Sequence, residues 1–543
     1  MAFIVDERID VVWPRLVAIA EEIAATLIRT AFSHDVIVGH DMSSAIFDDR
    51  GHMTAQTHAL GTPGHIGAMP FFMKDLLAAV PATTMAEGDV FITNDPWLHC
   101  GHTADIYAAA PIFRDGKVFA FVVTCVHHLD VGGRRGSGLS EEVYEEGLLL
   151  PIVRFYHAGT EDETLRRIIT RNVRYADKVL GDLRAQVTAC FVGGQLLLAL
   201  ADKEGIDDLR PLVDEIVGRT ESAMRASISA LKDGSYSGRR AIEVEGIADP
   251  VYLVMTVTKN GDELSADFSG SSPQVPRPIN CPLNYGRAYL AVAMKMLCGQ
   301  DLPNNEGTYR PIHMTAPEGT IINPTYPAAV FWRYAVGLMV ADLLFELMAD
   351  IAPDRVPASS GSMPVWQYYV SGSLDDGEPF VLHSHAFGGM GARPGRDGLS
   401  SVSFPYHVRE IATEIAESET PIWIAERELL ADSGGGGQWR GGLGERLAMK
   451  IAPHKRLRGQ AVLTGGAGRM LEGAQGLFGG QPGAIGELVV NGATIAATSS
   501  PQIYFGADDV VTMLLPGGGG YGRPQDRDWS SAQADVENGY VSR

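Results

Sequence analysis

Apolar residues recur at helical spacing near the start of the chain. Leu16, Ile19, Ile23 and Leu27 follow Pro14 at intervals of three and four, with Arg15, Glu21, Glu22 and Arg29 between them, which predicts an amphipathic helix. The same period predicts helices within 10–33, 161–232, 283–298 and 333–351, with strands and turns dominating the remainder. Asp115-Gly116, Asn260-Gly261 and Asn491-Gly492, each between apolar or alternating runs, predict hairpins. The first makes Val118 to Val126 a strand, apolar on both faces and therefore buried, with His127 at its end. Alternation puts His127 on the face of Cys125, Val123 and Phe121 and turns His128 the other way. The chain is expected to be mixed α and β.

The change from the helix-rich 161–232 stretch to the Val251 to Phe268 hairpin places a boundary near 240, and a second is expected near 460. These divide the chain into an N-terminal region 1–240, a central α/β region 241–460 and a Gly-rich β region 461–543. Glycines cluster at Gly434 to Gly437, Gly465-Gly466, Gly479-Gly480 and Gly517 to Gly520 without a fixed period, which disfavours a solenoid or propeller. None has the strand, G-x-G-x-x-G and helix context or a following Lys-Ser/Thr of a phosphate loop, so tight turns with positive φ and close strand packing are expected of them. Residues 525–543 are polar and read as a loosely held tail.

At 543 residues the chain can bury a large core without disulfide staples. A formal net charge of -22 removes the electrostatic footprint for nucleic acid or an anionic membrane. Five cysteines, odd in number and without C-x-x-C spacing, point to a reduced compartment, hence a cytoplasmic location. The N-terminus lacks a basic-then-apolar signal pattern, and the apolar Ala185 to Ala201 segment, interrupted by Gly193, Gly194 and Gln195, reads as a buried helix rather than a membrane span.

Candidate ligands are densest in the first quarter of the chain: Asp41, His58, His65, Asp95, His99, His102, Asp105, His127, His128 and Asp130. Nitrogen and oxygen donors without thiolate suit a borderline or hard divalent metal. His102 and Asp105 form an H-x-x-D pair that one turn can place side by side. By spacing alone hydrogen-bonded structural histidines are the commoner outcome, and Cys100 is left open as a small buried hydrophobe, a soft ligand or a nucleophile.

At these residues the sequence resembles the hydantoinase B family, which includes oxoprolinase halves, lactamase subunits and acetone or acetophenone carboxylase subunits. The resemblance spans nearly the whole chain. It is carried by Asp41 to Asp48 with Gly51, His65 to Pro70, Gly88 to Pro96, His102 to Asp105, His127 to Gly133 and Glu145 to Gly147. Farther on it continues through Ala316 to Gly319, Pro327 to Val330, Asp432 to Gly435, Trp439 to Gly442 and Pro516 to Gly522. It implies a divalent metal (zinc, manganese or iron) held by Asp41, His102, Asp105 and His127, with His65, His128 and Glu146 as candidate proton-transfer groups or structural hydrogen-bonding partners. It also implies a separate hydantoinase A type subunit that uses ATP to phosphorylate the substrate, the two chains forming a hetero-oligomer. The expected architecture is therefore a large multi-layer chain with an N-terminal metal-binding region and a Gly-rich, β-containing C-terminal region.

Three departures from the family pattern bear on the substrate. Where many hydrolase members carry Gly-Asn-Val-Glu-Thr-Ser, this chain has Phe331-Trp332-Arg333-Tyr334-Ala335-Val336. An Asn-Thr-Pro-x-Glu pattern is replaced by Phe404-Pro405-Tyr406-His407-Val408-Arg409-Glu410, and an Arg-rich segment is reduced to Arg469. The new aromatics either line a pocket for an apolar substrate or fill a core. The reading this supports is the metal-dependent subunit of an ATP-dependent amidohydrolase that opens a hydantoin, oxoproline-like or lactam ring. A subunit of an ATP-dependent ketone carboxylase and a scaffold with a structural metal are the alternatives.

Overall fold

A computed structural model describes residues 9–542 except Ala59, Arg135 and Ala497. Helices α1 (Ile9–Thr30) and α2 (His34–Ile37) lead into a seven-stranded antiparallel sheet. Its strands are β1 (Met42–Asp48), β2 (Met53–Gln56), β3 (Val90–Thr93), β4 (Asp105–Arg114), β5 (Lys117–His127), β6 (Val153–His157) and β7 (Thr160–Glu161), in the order β2-β1-β5-β4-β3-β6-β7. Both faces are covered, which is why β1 and most of β4 and β5 are buried along their length. Helix α3 (Pro63–Ala79) lies on one face; α5 (Ala176–Glu204) packs with α1 on the other, with α4 (Glu163–Asn172) against α5 and α6 (Arg210–Ser229) against α1.

Helix α3 falls where strands and turns were expected, because Gly64, Gly67 and Pro70 weaken its helical signature. Those glycines serve contact instead. A Cβ on Gly67 would come 2.6 Å from the Cβ of Ala288, and one on Gly64 would come 2.5 Å from the Tyr285 ring. They let α3 lie against α7 (Leu283–Cys298), which begins and ends where the periodicity placed it.

On either side of α7 in the chain, β8 (Gly234–Ile242), β9 (Val251–Asn260) and β10 (Glu263–Asp267) before it and β11 (Ile312–Thr315) after it form a second sheet, backed by α8 (Tyr334–Met348). The third sheet joins β12 (Trp366–Ser373) and β13 (Pro379–Ala386) to β16 (Ala461–Gly466) and β19 (Gln502–Phe505). The fourth joins β14 (Ile422–Leu429) and β15 (Glu445–Ile451) to β17 (Glu487–Val490), β18 (Ala493–Thr494) and β20 (Val511–Leu514), with α9 (Thr413–Glu419) leading into it. Both of these sheets draw strands from either side of residue 460.

All three hairpins form. Asp115 and Gly116 both take positive φ between Arg114 and Lys117, and Asn491 and Gly492 do the same between Val490 and Ala493. At the middle one the turn sits one residue later than expected, with Asn260 paired to Glu263 across Gly261 and Asp262. Among the described residues, α5 is the one helix long and apolar enough to cross a membrane; it packs on β4 and β5, and Gly193 and Gly194 admit Ile23 and Ile112. The C-terminal segment is not loose. It forms α10 (Trp529–Glu537), whose buried Asp535 meets Arg527 at 2.7 Å and Arg440 at 3.2 Å, and this ion-pair cluster, which Asp397 joins through Arg527, holds the segment down.

Candidate metal centre

Strand register brings the first ligands together. Asp105 opens β4 directly opposite His127 at the end of β5, and the His127 N–H donates to the carbonyl of Asp41, the residue just before β1. Asp41, His127 and Asp105 therefore stand side by side at one end of three adjacent strands. His102 joins from the loop before β4, with Nε2 2.8 Å from Asp105 Oδ1, while His127 Nδ1 lies 3.0 Å from the same oxygen and 3.9 Å from Asp41 Oδ2. Ligand atoms of His102, Asp105 and His127 all fall within 4.8 Å of one another. Every one of these residues is buried.

The hydrogen bonding fits a cation. Phe331 O lies 3.3 Å from His102 Nδ1 and can only accept, so the ring proton sits on Nδ1 and a lone pair on Nε2 faces the Asp105 carboxylate. Two acceptors at that separation need a proton or a metal ion between them. Neither His102 Nε2 nor Asp41 Oδ2 has a hydrogen-bond partner among the described residues. Burial, reinforced by Arg333, pushes the His102 ring well below its usual range and keeps it neutral.

The other charges revolve around Asp105. Burial opposes its ionisation, but the cationic His65 and Arg333 hold the carboxyl well below the usual carboxylate range. His65, in the first turn of α3, lies 3.1 Å from Asp105 Oδ2; burial works against its charge, yet Asp105 lifts the ring to about 9. Burial also opposes charge on His127, and the Asp105 hydrogen bond with the nearby Asp41 outweighs it, so that ring too is raised.

His65 thus belongs to the group, and His128 does not. Its Nε2 meets Gln186 of α5 at 3.2 Å on the opposite face of the sheet, and burial lowers its pKa. Glu146 stands behind the site. Its Oε1 accepts the N–H groups of Val330 and Phe331, the latter supplying the carbonyl on His102, while Oε2 has no partner among the described residues. Burial raises its carboxyl to about 8.

Several neighbours carried no clear sequence signal. Arg333 Nη2 is 2.8 Å from Asp105 Oδ2, Nε donates to Cys100 O, and the guanidinium lies over the Tyr285 ring. Tyr369 presents its hydroxyl 3.2 Å from His127 Nε2, and its ring stacks on His383, whose Nδ1 is 2.6 Å from Asp35. They come from distant parts of the chain. The departure at Phe331 to Val336 was the only pointer to Arg333. Phe331, Trp332, Tyr334 and Tyr406 are buried, with Phe331 against both Trp332 and His102.

Comparison with known proteins agrees with this architecture. A family model described as hydantoinase B/oxoprolinase matches residues 7–524. The caprolactamase subunit beta of Pseudomonas jessenii is 30% identical over 96% of this chain and 91% of its own length. The crystal structure of the ATP-dependent caprolactamase from Pseudomonas jessenii superposes with a TM-score of 0.89 at 28% identity, covering 98% of this chain and 94% of that one. A nucleotide-free acetone carboxylase has a TM-score of 0.86 over 98% of this chain and 78% of that chain; at 20% identity it shows a shared fold.

Proposed function

This chain belongs to the hydantoinase B/oxoprolinase family, and from that premise we propose that it is the metal-dependent subunit of an ATP-dependent amidohydrolase. Its partner, a hydantoinase A type subunit, phosphorylates the oxygen of a hydantoin, oxoproline-like or lactam ring, and this chain completes the opening. The observation that carries the reading is the buried set Asp41, His102, Asp105 and His127, in which a His102 lone pair faces the Asp105 carboxylate and Asp41 Oδ2 has no hydrogen-bond partner among the described residues. Its kinship with a caprolactamase subunit supports the choice of a cyclic amide.

A divalent ion held by those four residues would supply a Lewis acid that polarises an oxygen and lowers the pKa of nearby water. The protein's own groups do the rest. Phe331 O fixes the tautomer of His102, and Glu146, through its two backbone contacts, fixes Phe331. His65 carries a proton beside Asp105 that it can pass to the departing ring nitrogen. The buried walls exclude bulk water, which protects a phosphorylated intermediate from loss.

The same core would serve a ketone carboxylase, and the apolar Phe331 ring 5.4 Å from His102 favours that second reading. Reconstitution with the ATP-using partner separates them. The amidohydrolase reading expects no ATP turnover by this chain alone, and lactam-dependent turnover with the partner that persists in bicarbonate-free buffer. An absolute requirement for bicarbonate would replace it with the carboxylase, and ATP hydrolysis by the isolated chain would sink both.

A further inference from the structure

The two oxygens of Asp105 face two different groups. Oδ1 faces His102 and His127, whereas Oδ2 lies 2.7 Å from Cys100 Sγ and 3.1 Å from His65 Nε2. Cys125 sits on β5, two residues before His127 and therefore on the same face. Ligand atoms of His65, Cys100 and Cys125 lie within 4.8 Å of one another, and all three side chains are buried. Close by, His99 stacks on Tyr107 at 4.8 Å with neither ring nitrogen bonded among the described residues.

Buried cysteines usually pack as small hydrophobes, and two in this chain do. Cys190 meets the Thr124 hydroxyl and a backbone carbonyl, and Cys281 meets backbone groups of Pro282 and Gly286. Cys100 and Cys125 differ, because an imidazole and a carboxylate oxygen converge on the same point. This set is softer than the first one and chemically distinct from it.

We propose a second cation position, of the zinc class, held by His65, Cys100 and Cys125, with Asp105 bridging through Oδ2 to the centre described above. Cysteine thiolate and imidazole are the ligands zinc takes in closed sites. Each thiol gives up its proton to solvent as the ion binds, so two negative charges arise to match a divalent cation, and His65 binds as the neutral ring. That charge match lets an ion sit beside Arg333. The guanidinium keeps its bond to Oδ2 and, by holding the Cys100 carbonyl, fixes the sulfur's position. With an ion here His65 becomes a ligand, so its proton-transfer role applies to the chain with only the first position filled.

Cobalt substitution of the full-length chain tests this, because the first centre contains no sulfur. The wild-type protein should take up about two Co²⁺ per chain and show a near-ultraviolet thiolate-to-cobalt charge-transfer band. Cys125→Ala should lose that band and about half of the bound metal while keeping the first ion. The wild-type spectrum decides by itself if the variant fails to fold. Cobalt bound without thiolate charge transfer would overturn the second position and leave the Asp41 centre standing. A thiolate band with a single ion per chain would support the second position and overturn the first, and no cobalt uptake at all would overturn both.

Discussion

Around Asp105 the protons on His65 and His127 occupy the electrostatic role that a divalent ion would take over. Metal binding should therefore release protons and weaken as the pH falls. Without metal, the sign of the stability effect follows from His65 and Glu146, both of which hold a proton more tightly folded than unfolded. Their stabilisation is full below the unfolded values, 6.5 and 4.5, and is lost as the pH rises through about 9 and about 8. Their contribution should thus lower the unfolding temperature of the metal-free chain from neutral to alkaline pH, above the range in which the buried neutral rings of His102, His128 and His385 work in the opposite sense. Glu146→Gln, which cannot ionise, should flatten the lower part of that decline; an unchanged slope would mean that Glu146 is ionised in the folded protein. At this scale the sequence was informative where geometry is local. Strand alternation separated His127 from His128, because a period of two leaves no other choice. It could not reach Arg333, which meets Asp105 from 228 residues away, or Cys125, whose partners lie on α3 and on the loop before β4.

Among the elements, the clustered glycines serve the second of the two roles expected of them, close strand packing, and of those named in the clusters only Gly479 takes positive φ. Gly389, Gly441, Gly517 and Gly518 do not take positive φ, so turn geometry does not require them. Close backbone approach does. A Cβ on Gly389 would lie 1.8 Å from Gly442 O, and one on Gly517 would lie 1.7 Å from Ser433 O. Gly389→Ala should cost at least about 1–3 kcal/mol of stability, because no side chain can move aside. By contrast, Gly218→Ala, inside α6 with no described atom within 4 Å of the new methyl, should stabilise by up to about 1 kcal/mol. Denaturant melts of both variants check the pair; equal effects would contradict the packing account. The glycine amides are also committed, since Gly517, Gly518, Gly519 and Gly520 donate to Ala484, Gly442, Ser359 and Gln481. A phosphate would find none of those donors free. Helix α3 is the complementary case: its glycines hid a helix from the periodicity because they were chosen for contact with α7.

For the whole molecule, the layered arrangement explains why a site can be so deeply enclosed. The seven-stranded sheet is covered on both faces, and the segment entering α8, together with β12 and β13, closes over the ends of β1, β4 and β5 by supplying Arg333, Tyr369 and His383. Helical periods and hairpin turns made most of the elements readable, but the pairing of strands across residue 460 depends on long-range contacts that no local pattern encodes. The enclosure has a direct consequence: ions bound here should survive purification and leave only when a ligand is removed. The most direct measurement is the divalent-metal content of the purified wild-type chain beside His102→Ala and His128→Ala. The account predicts a metal-loaded wild type, loss of the ion from the Asp41 centre in His102→Ala, and full retention in His128→Ala, whose ring faces α5. A wild-type chain purified without metal and unable to take any up, or a His102→Ala chain with undiminished content, would contradict it.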